Sequence, residues 1–271
     1  MAHTPILGSI HNPRVREALG LREPRERRRR GLMLIDGARE IARAVAAGVE
    51  VVEAFVADEL VEAAGVEAAG AAEAIRSTGA ARVPVTSELM GRMAYGDRSD
   101  GLLAVARVPD ASIEALAALV PTEPLLLVLE AVEKPGNLGA VLRTADGAGI
   151  DGLIVADPRT DPWNPNAIRA SMGTVFSVPL AVTDGATARG WLEERGVRVV
   201  ATLVDAPTTY TEADLTGPLA IALGSEAEGL GGAWRGDGVT GVRIPMLGIA
   251  DSLNVSVSAA ILAYEARRQR G

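Results

Sequence analysis

Three short segments of this chain carry residue types from which a reaction can be built. The first reads Glu133-Lys134-Pro135-Gly136-Asn137-Leu138-Gly139 and runs on through Ala140-Val141-Leu142-Arg143-Thr144. Asn137 is suited to cap a helix, whose free backbone amides attract anions. Arg143 follows six residues later, between one and two turns inside that helix. Alone, the segment also fits a capped helix with one exposed arginine. The second segment, Leu223-Gly224-Ser225-Glu226-Ala227-Glu228-Gly229-Leu230, follows an apolar run, and glycine there lets backbone approach a ligand closely. It is neither a GxGxxG nor a GxxxxGKS/T pattern, so phosphate cradling is not its natural chemistry. Alone, it also fits an ordinary strand-end turn. The third is Ile244-Pro245-Met246-Leu247, then Asp251-Ser252-Leu253-Asn254-Val255-Ser256-Val257-Ser258. Its proline blocks strand continuation, and Asp251 or Ser252 suits the N-cap of a last helix. That helix opens with small and β-branched residues, as expected where chain segments pack closely. Composition argues against other chemistries. Cysteine is absent, which excludes disulfides and thiolate metal sites, and the two histidines, His3 and His11, lie near the start. No metal site and no histidine-based triad is therefore expected.

The elements that position these segments can be read from hydrophobic pattern. From Leu125 onward strands and helices alternate, with strands at Leu125–Leu129, Leu153–Ala156, Val175–Val178, Val197–Leu203, Leu219–Leu223 and Val242–Ile244. Helices are expected from about Leu138 to Gly149 and from about Leu253 to Arg268. Such alternation predicts an α/β domain with a mostly parallel sheet covered on both faces. Ligands bind such sheets beyond the carboxyl ends of the strands, which points to the loops after Val128, Leu203, Leu223 and Ile244. The first hundred residues mix short strands (Leu32–Ile35, Val51–Val56, Arg82–Val85, Leu102–Val108) with helices, one from Ala38 to about Ala47. Pro109 to Pro124 holds three prolines around a short helix and reads as a connection. The expected organisation is a smaller α/β domain over residues 1–108, a linker at 109–122 and a second domain over 123–271.

A net charge of −8 argues weakly against a nucleic-acid partner, but distribution matters more than the sum. Arg22, Arg25, Arg27, Arg28, Arg29 and Arg30 crowd one short stretch. That run alone fits a solvated helix face as well as an RNA contact. No apolar run approaches the ~20 residues of a membrane span, and no secretory signal opens the chain, so no membrane association and a cytoplasmic location are expected.

In this order and spacing, the three segments closely resemble the signature motifs of the SpoU/TrmH family of RNA ribose methyltransferases, within the SPOUT class. The motifs stand here as Asn137 to Thr144, as Gly224-Ser225-Glu226 with Gly229-Leu230, and as Ile244-Pro245-Met246 with Ser252 to Ser256. Ile168-Arg169-Ala170-Ser171-Met172-Gly173 supports the match, and Ala227, where many relatives have glycine, departs from it. The N-terminal region is similar more loosely, through Asn12-Pro13-Arg14-Val15, Leu34 to Glu40 (including Arg39) and Asp100 to Val105. The resemblance implies a trefoil-knotted catalytic domain, S-adenosylmethionine as cofactor, a homodimer and an RNA substrate held by the N-terminal domain. It implies cofactor loops around Leu203, Gly224, Ile244 and Leu253, with Arg143 as the catalytic arginine and Asn137, Glu226, Ser252 and Asn254 organising the pocket. Candidate RNA contacts are Arg14, Arg25, Arg27, Arg28, Arg29, Arg39 and Arg169, the last reaching from the partner subunit. The extra N-terminal domain favours ribosomal RNA. A tRNA ribose methyltransferase, an antibiotic-resistance methyltransferase and a non-catalytic RNA-binding protein remain alternatives. A dinucleotide-dependent oxidoreductase does not fit, since Pro135-Gly136-Asn137 is a poor substitute for a glycine-rich turn.

Overall fold

The computed structural model describes residues 5–95, 99–225 and 228–271. In chain order its elements are α1 (Pro13–Gly20), α2 (Pro24–Arg30), β1 (Leu32–Asp36), α3 (Ala38–Ala46), β2 (Val51–Val56), α4 (Asp58–Ala64), α5 (Val66–Thr78), β3 (Ala81–Pro84), α6 (Ser87–Met93) and β4 (Leu102–Arg107). Then follow α7 (Ile113–Leu119), β5 (Leu125–Glu130), α8 (Pro135–Gly147), β6 (Gly152–Ala156), α9 (Pro165–Ala170), β7 (Leu180–Thr183) and α10 (Gly185–Glu194). The last are β8 (Arg198–Thr202), β9 (Thr208–Thr209), β10 (Leu219–Leu223), β11 (Val239–Arg243) and α11 (Val255–Arg270). They form two compact units. The first comprises the chain up to Pro109 together with Asp161–Ser177, and the second comprises Asp110–Thr160 and Val178–Gly271.

The first unit is built on a four-stranded sheet of order β1-β4-β2-β3, with β4 antiparallel to both neighbours and β2 parallel to β3. Alternate residues Leu34, Phe55, Val83, Leu103 and Val105 bury one face against Val15, Leu21, Leu89, Met90 and Met93. Residues 161–177 add α9 and a 3₁₀ turn, Thr174–Phe176. The strand expected over Val175–Val178 is therefore not formed. Gly173 takes a left-handed φ of 81°, and the Ser171 hydroxyl accepts from the Gly173 and Val175 amides at 3.1 and 3.4 Å, winding the backbone into a turn. Phe176 then stacks on Trp163.

In the second unit all seven strands are parallel, in the order β7-β6-β5-β10-β8-β11-β9. Every residue of β5, β6 and β10 is buried, as a strand covered on both faces requires. The stretch expected to be a linker contributes to this core, since α7 buries Ile113 and Leu116 and the Val182 amide donates to the Ala111 carbonyl. Two helix starts differ from expectation. The first begins at Pro135, where a fixed φ and a missing N–H suit the opening position, so Asn137 lies in the first turn and Lys134 is the cap. The last begins at Val255, and its cap is Asn254, not Asp251 or Ser252, because the Asn254 carboxamide accepts from the Ser256 amide at 2.9 Å. β11 likewise ends at Arg243, a residue before Ile244.

Candidate active site

Beyond the carboxyl ends of β5, β8, β10 and β11, the second unit encloses two adjoining cavities. The larger, of about 620 Å³, is lined by Leu203 after β8, Gly224 after β10, Ile244 after β11, and Ser252 and Leu253 before α11. The smaller, of about 240 Å³, is lined by Glu130, Glu133, Lys134 and Asn137 and shares Leu223, Gly224, Ser225 and Val255 with its neighbour. All four candidates for cofactor contact thus meet in one space. Glu226 lies outside the described residues.

Local chemistry explains the shape of these loops. After β10 the chain folds back on itself: the Gly229 amide donates to the Ser225 carbonyl at 3.0 Å, and the Glu228 amide to the Ser225 hydroxyl at 3.1 Å. A Cβ on Gly224 would sit 2.1 Å from the Gly229 carbonyl carbon and 2.3 Å from the Leu230 nitrogen, so only glycine closes this ring. At the smaller cavity the Asn254 Nδ2 donates to Asn137 Oδ1 at 3.2 Å, joining the cap of α11 to the first turn of α8. Two helix N-termini meet there, and their aligned amides favour an anionic or electron-rich group. Arg159, which no sequence signal marks, pairs with both Glu133 and Glu228 and so links the loops after β5 and β10. Those hydrogen bonds raise the Arg159 pKa. Glu130, marked in the sequence only as the one charged residue in the run Leu125 to Glu130, is buried and accepts from the Trp234 indole.

Arg143 projects from α8 as an exposed side chain and lines neither cavity. The arginines of the first unit divide by environment. Arg25 and Arg28 are exposed and pair with no carboxylate among the described residues, whereas Arg14 pairs with Glu53, Arg29 with Glu26 and Arg39 with Glu40. The Arg29 hydrogen bond holds the Glu26 carboxyl below its ordinary range. Arg169 pairs with Asp36 at 3.4 Å and donates to the Tyr95 carbonyl. Burial pushes the Asp36 pKa up against that pairing. Arg27 corrects the sequence reading. It is only 1% exposed, pairs with Asp161 at 2.7 Å and donates to the Leu21 and Arg22 carbonyls at 2.8 Å, so it is an internal strut with no surface to offer RNA. Among the described residues no group of three or more His, Cys, Asp or Glu side chains is placed to hold a metal, and no helix is long and apolar enough to cross a membrane.

Comparison with known proteins bears on both units. The family model described as the SpoU rRNA Methylase family matches residues 124–264, and one described as an MRM3-like substrate binding domain matches residues 12–104. A protein of Ralstonia nicotianae named 23S rRNA (guanosine-2'-O-)-methyltransferase RlmB is 36% identical over 201 residues, which span 73% of this chain and 81% of that protein. A crystal structure of an RNA 2'-O ribose methyltransferase is 40% identical, covers 98% of this chain and 99% of its own, and superposes with a TM-score of 0.84. The SpoU methyltransferase AviRb from Streptomyces viridochromogenes, in complex with the cofactor AdoMet, is 28% identical, with 95% and 98% coverage and a TM-score of 0.83.

Proposed function

Because the chain belongs to the SpoU rRNA methylase family, we propose that it is an S-adenosylmethionine-dependent methyltransferase acting on a ribose 2'-hydroxyl of ribosomal RNA. The observation that carries this reading is the larger cavity, where Leu203, Gly224, Ile244 and Leu253 converge from four separate loops. Its volume of about 620 Å³ lies within the range of small-molecule sites, roughly 300–1,000 Å³. The Gly224 ring, which a Cβ would break, presents backbone to that space, as binding of a flat heterocycle requires. These residues fit S-adenosylmethionine, which when bound supplies a methyl group on a positively charged sulfur.

The remaining work belongs to the chain's own residues. Asn137 and Asn254, tied to each other, fix the junction of α8 and α11 beside the cavity, with Ser252 on its wall. Glu226 is assigned to the same pocket on the family resemblance alone. Arg143 orients a backbone phosphate and stabilises the charge that develops on the ribose oxygen. The phosphate it orients takes the proton that the ribose hydroxyl loses. Arg143 lines neither cavity of its own chain, and Leu247, Ile249, Val257 and Tyr264 are exposed apolar residues around α11. Both observations support a homodimer in which Arg143 serves the partner's site. The substrate-binding match over residues 12–104 supports RNA capture by the first unit, with Arg14, Arg25, Arg28, Arg29, Arg39 and Arg169 as contacts. A guanosine of 23S rRNA is the substrate to test first, given the named Ralstonia relative. Calorimetry with chelator present should show saturable S-adenosylmethionine binding, and mapping of 2'-O-methylation in RNA with and without the gene should reveal one missing mark. Folded protein that binds no cofactor at millimolar concentration would overturn the reading.

A further inference from the structure

We propose that Glu130 is a positioning residue for cofactor binding, holding the loop after β10 in its binding shape without touching substrate. The inference rests on the assignment of the larger cavity to S-adenosylmethionine. Glu130 ends β5 and is 9% exposed. Its Oε1 accepts from the Trp234 Nε1–H at 2.8 Å, and its Oε2 accepts from the Gly231 amide. Trp234 is itself fully buried, in the core that supports the sheet. A Cβ on Gly231 would stand 3.1 and 3.2 Å from the two carboxylate oxygens, and one on Gly185, at the start of α10, 3.3 Å from Oε1. The carboxylate is thus enclosed by glycines that leave room for it and little else.

Gly229 and Leu230 line the larger cavity, and their backbone lies against Gly224. Gly231 is the next residue. An anchor at Gly231 therefore fixes the exit of the ring that forms the cavity wall. Glu130 also borders the smaller cavity, but both oxygens are already engaged, one by the buried Trp234 indole and the other by the Gly231 amide. The effect of Glu130 on the reaction passes through the loop. Replacing one oxygen by an NH₂ group sets a donor against either the Trp234 indole or the Gly231 amide, so one of the two hydrogen bonds is lost.

The test compares wild type, Glu130→Gln and Trp234→Phe for cofactor affinity, maximal methylation rate and indole fluorescence. Glu130→Gln should weaken S-adenosylmethionine binding by about tenfold, the scale of one lost buried hydrogen bond. Its rate at saturating cofactor should stay within about twofold of wild type, and Trp234 emission should shift as the carboxylate beside the indole is replaced by a neutral carboxamide. Trp234→Phe, which deletes the N–H donor and leaves a smaller aromatic ring, should weaken binding in the same direction by less. A role confined to stability would lower thermal unfolding while leaving cofactor affinity untouched. Folded Glu130→Gln with wild-type affinity overturns the proposal. If Glu130→Gln does not fold, unchanged affinity in Trp234→Phe overturns it. Absence of binding by wild type itself would overturn the reading of the cavity, and this proposal with it.

Discussion

Arg143 and Arg27 show how little residue type alone decides. Both are arginines on helices, yet one is exposed and the other is almost wholly enclosed. If Arg143 only decorated α8, alanine would be nearly neutral, since it is the better helix former and surface changes usually stay within ~0.5 kcal/mol. We expect instead that Arg143→Ala lowers single-turnover methylation by on the order of 10²–10³-fold, the scale of one lost electrostatic contact to a transition state. Cofactor affinity and thermal unfolding should hold. Arg143→Lys should rescue poorly, because a point charge cannot reproduce the planar fork. Near-normal turnover in Arg143→Ala would remove the catalytic assignment. Arg27→Ala should do the opposite, destabilising the fold by about 3 kcal/mol in chemical denaturation, because it leaves Asp161 without its partner and frees two carbonyls. A loss below about 0.5 kcal/mol would return Arg27 to the surface cluster.

At the scale of elements, the parallel strands were legible because burial on both faces leaves continuous apolar runs such as Leu125 to Leu129. Helix starts were less legible, because asparagine and serine suit several positions near an N-terminus, and proline outcompeted Asn137 for the opening of α8. The 3₁₀ turn at Thr174–Phe176 was hidden for another reason: its valine and phenylalanine suit a strand, and only the Ser171 bonds to backbone overrule them. The cavity residues could be found through their motifs, whereas the Arg159 link joins residues far apart in sequence with no local pattern. α11 also carries a pH response. Hydrogen bonds from Arg268 and then Gln269 lower the Glu265 carboxyl from 4.5 to about 2. A depressed carboxylate contributes stability above its unfolded pKa and loses it as pH falls through the folded value. The Tm gap between wild type and Glu265→Gln should therefore be widest above about pH 5 and close between about pH 4.5 and 2. A gap that persists unchanged at pH 2 would show that Glu265 acts through packing.

For the whole molecule, net charge is a poor guide to partners. The chain carries −8, yet Arg25, Arg28 and Arg29 stand on the exposed side of one short helix. Reversing those three should weaken RNA binding and reduce the slope of log affinity against log salt by roughly 0.7–0.9 per lost phosphate contact. Cofactor affinity should not follow. An unchanged slope would return the run to a solvated face. Sedimentation should report a dimer, and Val257→Asp with Tyr264→Asp should shift it toward monomer. Monomeric wild type at micromolar concentration would count against a shared site.

The first unit is assembled from two stretches of chain, one ending at Pro109 and the other running from Asp161 to Ser177. During synthesis this imposes a waiting time. The N-terminal sheet can pair as soon as β4 has emerged, but Arg27 is made 134 residues before its partner Asp161. At ~5–20 residues per second that is roughly 7–27 s of translation. Throughout it, a cationic group destined for the interior has no counter-charge, and α2 lacks one of the contacts that hold it. Arg27 therefore waits for its counter-charge until β5 and β6, the first two strands of the second sheet, have been made. Slowing translation before Asp161 would lengthen the exposure of that helix to proteases, while leaving the finished protein the same.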